Sequence, residues 1–191
     1  MMHFTDITGL AGVLLAVVVL ALRLPVVARL PFHHRAWLAG ALLIALTIPF
    51  AALSGAEFVR GISGDLSITT LLLLGLALRG VPDRQHGLLV CVAGAAFVLY
   101  PFALGLGMFD SYRLGFGNLW FVAWLLLLVL AAWVWQYTLV VGGVSLAVLA
   151  WSVGWYESGN LWDYLLDPWL SIYALAVLAK RGISLRGKRS V

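Results

Sequence analysis

Long apolar runs, almost free of charge along their length, constrain this chain more than any other feature. A helix that crosses a bilayer needs roughly 20 mostly apolar residues, with a range of about 17–25. Segments of that kind lie at 7–24, 37–53, 87–104, 118–135, 138–155 and 161–179, with a shorter one at 66–78. The fifth and sixth are broken only at Gln136 and Tyr137, where a tight hairpin is expected. Of 191 residues, 63% are hydrophobic and 10% charged. A soluble domain carries roughly 25% charged residues to keep its surface wet, so most of this surface is expected to face lipid. The predicted fold is therefore all-α. It is a polytopic bundle of about seven transmembrane helices in one domain over 1–179, followed by a basic tail at 180–191.

Charge sets the expected orientation. With seven spans, Arg23, Arg29, Arg35, Arg79, Arg84, Lys180, Arg181, Arg186, Lys188 and Arg189 fall on one side, and only Arg60 and Arg113 on the other. Basic residues gather in the cytoplasm, which puts the N-terminus outside and the C-terminus inside. The basic tail is then a topology anchor drawn to anionic lipid or to a cytoplasmic partner. The same rule accounts for the net charge of +4 without nucleic acid, and no aromatic-basic RNA motif is present. The first apolar run is read as a span rather than a leader. It lacks a basic start, Asp6 precedes it and Arg23 follows it. A bacterial inner membrane is the expected location, on the compactness of the chain and the lack of a targeting segment.

The acidic residues sort the opposite way. Asp6, Glu57, Asp65, Asp110, Glu157, Asp163 and Asp167 fall outside, and only Asp83 inside. Helix capping explains part of this, because Asp and Asn side chains accept hydrogen bonds from free first-turn N–H groups. Asp65 stands before the third apolar run, Asn118 before the fifth, Asn160 before the seventh and Asp6 before the first. Asp163, three residues after Asn160, resembles the second member of a capping box. The recurrence of Gly-Asp or Gly-Asn before these runs also fits a diverged helical-hairpin repeat.

The segment from Trp155 to Trp169 is the richest in chemistry. It holds Tyr156, Glu157, Asn160, Trp162, Asp163, Tyr164 and Asp167. Aromatic rings beside carboxyl groups suit a sugar surface; the same rings suit an aromatic belt at headgroup level. Pro168 fits the first turn of a helix capped by Asp167, so the chain can turn at the interface and restart there. Glu157, Asp163 and Asp167 are the candidates for acid–base catalysis of glycan or lipid transfer. Arg60 and Arg113, near several helix N-termini, are candidates for holding a phosphate. Local pairing of Arg60 with Glu57 and of Arg113 with Asp110 is the plainer alternative.

No nucleophile motif, phosphate loop or metal-ligand spacing is present. His33 and His34 are adjacent without a further ligand, His3 and His86 are isolated, and Cys91 is the single cysteine. No metal or cofactor is expected. The span interiors hold almost no ionisable residue, unlike proton relays and pumps, which places a small transporter third. Gly142, Gly143 and Ser145 suggest close helix packing. The leading expectation is a non-catalytic envelope protein. Its outer face (Glu57, Arg60, Asp65, Asp110, Arg113, Glu157, Asn160, Trp162, Asp163, Asp167 and Trp169) would bind a lipid, a lipid-linked saccharide or another membrane protein.

Overall fold

The computed structural model describes residues 4–50, 52–80 and 85–187, apart from the side chains of 79 and 184–187. Asp83, Arg84, Lys188 and Arg189, used above for orientation, lie outside the described residues. The described residues form ten α-helices and one minimal hairpin. In order these are α1 (Phe4–Arg23), α2 (Pro25–Ala28), α3 (Phe32–Thr47), β1 (Pro49–Phe50), β2 (Leu53–Ser54), α4 (Gly55–Ser63), α5 (Ile68–Arg79), α6 (His86–Ala103), α7 (Leu119–Val134), α8 (Thr138–Ser152), α9 (Leu161–Leu165) and α10 (Pro168–Gly187). A short 3₁₀ turn, Tyr112–Gly115, lies between α6 and α7. The expected all-α class is what the chain adopts.

The expected spans need correction in two places. The second run starts its helix earlier, at Phe32, and ends it at Thr47. Pro49 disfavours helical backbone at the residue before it, and Ile48 is extended. The chain then makes the β1–β2 pair, Pro49 opposite Ser54, and enters α4. The seventh run is two helices rather than one. Pro168 lacks the N–H needed inside a helix, Leu166 is extended, and the chain breaks between α9 and α10. Among the described residues, only α1 and α6 are long and apolar enough to cross a bilayer. The helices α5, α7 and α8 are apolar but shorter. At 1.5 Å per residue, the 16 residues of α7 reach about 24 Å, against a hydrocarbon core of roughly 30 Å. The predicted hairpin after α7 is present. Gln136 turns the chain with φ 59°, and α8 follows at once.

Packing follows the small residues. Val13, Ala16 and Val19 recur every three residues on α1, all buried, on a helix that packs against α5. On its other side α5 meets α8. A side-chain carbon at Gly143 of α8 would sit 3.5 Å from Thr69 and 3.6 Å from Leu88, in ordinary contact. α8 also touches α6, α7 and α9, and α10 lies along α6. The main core cluster is built from α6 to α10 and the start of the chain's last third, with Leu89, Leu161 and Tyr164 fully buried. The helix α10 runs through Lys180 and Arg181 to Gly187, so the basic segment begins as helix.

Candidate functional site

Most of the described acidic residues gather at one end of the bundle, and the hydrogen bonds they accept join helix ends that are far apart in sequence. Arg60 of α4 is the first hub. Its Nε and Nη2 donate to Asp65 Oδ1 at 2.6 Å and Oδ2 at 3.1 Å. Its Nη1 donates to Asp6 Oδ1 at 3.1 Å. The planar guanidinium suits this fork, and the bonds from Asp65, with Asp6 adding, raise the Arg60 pKa above its usual value. The three side chains are 19–28% exposed. Together they tie α1 and α4 to the link that leads into α5.

These contacts revise several sequence expectations. Asp65 serves Arg60 rather than capping α5; Ser67 caps α5 by accepting from the Thr70 N–H. Arg60 pairs with distant Asp6 and not with Glu57. Glu57 instead closes a capping box with Ser54: its carboxyl accepts from the Ser54 N–H at 2.6 Å, and Ser54 Oγ accepts from the Glu57 N–H. The Ser54 donors hold the Glu57 pKa below its ordinary value. Gly9 of α1 faces the hub. A side-chain carbon there would collide with Asp65 Oδ1 and lie 2.7 Å from Arg60 Nε. Gly9→Ala is expected to prise the fork apart at a cost of about 1–3 kcal/mol, read as an earlier unfolding midpoint in detergent micelles. An unchanged midpoint would mean that the fork adjusts freely.

Asp167 is the second hub and is buried, at 4% exposure. Its Oδ2 accepts from the Ser67 N–H at 2.9 Å, the Ser67 hydroxyl at 2.8 Å and the Thr70 hydroxyl at 2.5 Å. Its Oδ1 accepts from the Leu170 N–H at 2.8 Å, which caps α10 as the Asp-Pro pattern suggested. Both lobes of this carboxyl are therefore engaged, and the start of α10 is fastened to the start of α5.

Asp163 and Asn160 build a third knot with the 3₁₀ turn. Asp163 accepts from Tyr112 Oη at 2.9 Å and from the Ser158 hydroxyl at 2.5 Å. Burial and the Asp163 contact push the Tyr112 phenol up to about 12, so it remains a donor at neutral pH. No capping-box bond joins Asp163 to Asn160, whose N–H goes to Ser158 Oγ. Asn160 is fully buried. Its oxygen caps α9 through the Trp162 N–H, and its amide donates to Tyr112 O at 2.9 Å. Trp162 donates to Ser111 O at 3.0 Å and packs on Phe121, with ring centroids 4.5 Å apart. Tyr164 and Tyr156 complete the knot. The Tyr156 N–H donates to Tyr164 Oη at 3.0 Å, and Tyr156 Oη donates to Leu66 O at 2.8 Å.

The other candidates lie apart from these hubs. Trp169 is half-exposed and donates to Ser63 O at 3.3 Å. Glu157 is exposed on the loop before α9. Asp110 accepts from the Tyr112 N–H in a local turn. It lines, with exposed Arg113, a shallow concavity of about 600 Å³ beside Asn118. Ser67, Thr70, Ser111 and Tyr112 were missed by the sequence reading. Small hydroxyls and tyrosines show no spacing that marks them as partners of a carboxyl 50 or 100 residues away. No group of three or more His, Cys, Asp and Glu suited to a metal occurs among the described residues.

Two apolar hollows flank the knot. One, of about 480 Å³, runs between α1, α4, α5 and α10, from Ser63 and Trp169 at the acidic end to Arg23 at the other. Val13, Val17 and Leu74 are among the aliphatic residues between. The second, of about 550 Å³, lies among α6, α7, α8 and α9, with Trp124 and Leu128 at its wall. Comparison with known proteins finds no matching family model, no matching curated protein and no matching solved structure.

Proposed function

We propose that this chain is a non-catalytic, multi-pass integral membrane protein of the cell envelope that binds a lipid along the groove between α1, α4, α5 and α10. In this reading it crosses the bilayer about seven times, with the acidic end outside and the C-terminus in the cytoplasm. The helices shorter than 20 residues are accommodated by local thinning of the bilayer. Large side chains that point outward support it. Trp37 is 79% exposed and Trp120 85%, and α7 carries no charge at all along its length.

The observation behind the lipid assignment is the groove itself. Its wall is mostly aliphatic, and its polar members are Arg23, Ser63, Thr70, Gln85, Trp169 and Tyr173. A sugar or a peptide laid along such a wall would leave its polar groups unpaired, at a cost of about 1–3 kcal/mol for each. A hydrocarbon chain has none to lose. The outer carboxyl groups favour a binding role over catalysis for the same reason of bookkeeping. Asp167 and Asp163 already accept several hydrogen bonds each, and Glu157 stands exposed. Filling the groove tests the proposal. Val17→Trp, at a half-buried groove position, is expected to cut the lipid retained in native mass spectra of the micelle-extracted protein about tenfold, by occupying the volume a chain needs. Retention equal to that of the unaltered protein would refute a chain in this groove.

A further inference from the structure

We propose that the basic end of this groove is a phosphate site formed by Arg23 and Arg35, which holds the headgroup of an anionic phospholipid whose acyl chain lies in the groove. The inference rests on the lipid-binding reading above and adds the chemistry of the headgroup.

A concavity of about 370 Å³ opens where α1 and α5 end and α3 begins. It is lined by Arg23, Arg35, Leu22, Ala28 and Gly80, and it shares Val19, Arg23 and Ala77 with the apolar groove. The two hollows thus adjoin, one oily and one cationic, as the two parts of a lipid require. Arg23 is oriented from within the fold, since its Nη2 donates to Ala77 O near the end of α5. Arg35 is not paired in this way. Its Nε is buried and makes no hydrogen bond, the one side-chain polar atom among the described residues in that state. A buried donor without a partner destabilises the site, and an incoming acceptor would relieve that.

The surrounding charges point to an anion. Neither arginine makes an ion pair among the described residues. The described acids Asp6, Asp65, Asp163 and Asp167 are bound into the knot at the opposite end. Two guanidinium groups at the mouth of an apolar groove, without a counter-charge among the described residues, attract an anion. Planar forks match phosphate oxygens in pairs. Arg60 offers a contrast, because two carboxyl groups already fill its fork.

The experiment is native mass spectrometry of the full chain in micelles, titrated with phosphatidylglycerol and with diacylglycerol of the same chains. The unaltered protein is expected to prefer phosphatidylglycerol at least tenfold. Arg35→Gln removes no hydrogen bond made in the structure, so the fold is retained. It is expected to lower that preference about fivefold, and Arg23→Gln with Arg35→Gln is expected to abolish it, while diacylglycerol binds as before. Arg35→Lys, which keeps the charge, is expected to keep part of the preference. Equal binding of the two lipids by the unaltered protein, or an undiminished preference in the double variant, would overturn the headgroup site and leave the groove standing. Uptake of neither lipid would sink the lipid-binding reading itself. Inorganic phosphate bound as tightly as phosphatidylglycerol would assign the arginines to a soluble anion and overturn the lipid source.

Discussion

Asp167→Ala is expected to destabilise the folded chain by about 3–5 kcal/mol, the range for removing one partner from a buried charged or multiply bonded group. The reason is the number of donors left behind. Ser67 loses an acceptor for both its N–H and its hydroxyl, Thr70 loses one for its hydroxyl, and Leu170 loses its cap. Water does not readily replace the carboxyl at a site 4% exposed. Asp167→Asn keeps one acceptor oxygen and presents an N–H₂ to the rest, so about half the loss is expected. The check is an unfolding titration in mixed micelles, with the unaltered protein, the amide and the alanine in that order of midpoint. Were Asp167 a catalytic acid instead, the amide would leave the midpoint in place and remove an activity. Midpoints that coincide for all three proteins would therefore dismiss the structural role.

Gly115→Ala is expected to be nearly as damaging, at about 2–3 kcal/mol or more, because a single added carbon overpacks a filled site. The new Cβ would overlap Asn160 Oδ1 and lie 2.6 Å from Asn160 Cγ and 2.8 Å from Trp162 Cδ1. None of these atoms can retreat cheaply. Asn160 is held by the Trp162 N–H and by Tyr112 O, and Trp162 by Ser111 O and the Phe121 ring. Gly115 has an ordinary φ, so the cost is one of space and not of backbone strain. The 3₁₀ turn and α9 are expected to separate together. Quenching of tryptophan fluorescence by an added aqueous quencher would report Trp162 newly exposed. Unaltered quenching and an unaltered midpoint would show that the turn can shift as a unit.

How much of this was legible in the sequence depends on the range of the interaction. Helix existence was, because an apolar run reports on its own residues. The hairpin at Gln136 and the caps at Asn118 and Asn160 were also legible, as each acts within three residues. The break at Pro168 was visible as an alternative for the same reason. The roles of the charged residues were not. Asp65 before an apolar run looks like a cap, yet Ser67 two residues later does that work and frees Asp65 for Arg60. The partners of Asp167 are 97 and 100 residues away, a distance over which sequence spacing carries no information. Arg35 looked like a simple topology marker. Only its place beside Arg23, across a helix-helix contact, gives it a direction to point.

The ties described here are distributed unevenly along the bundle axis. At the acidic end, three knots bolt together the starts of α1, α5, α9 and α10 and the end of α4. At the far end the described side-chain links reduce to Arg23 with Ala77 O and Arg181 with His86, the latter 3.2 Å apart and exposed. A bundle clamped at one end behaves like tweezers, whose softest deformation is splaying of the free tips. Splaying of that kind would widen the groove from its basic mouth while the clamped end keeps its register. In the proposed orientation a guest molecule would slide in sideways from the cytoplasmic leaflet, and chains of different thickness would be accommodated there without disturbing the outer knot.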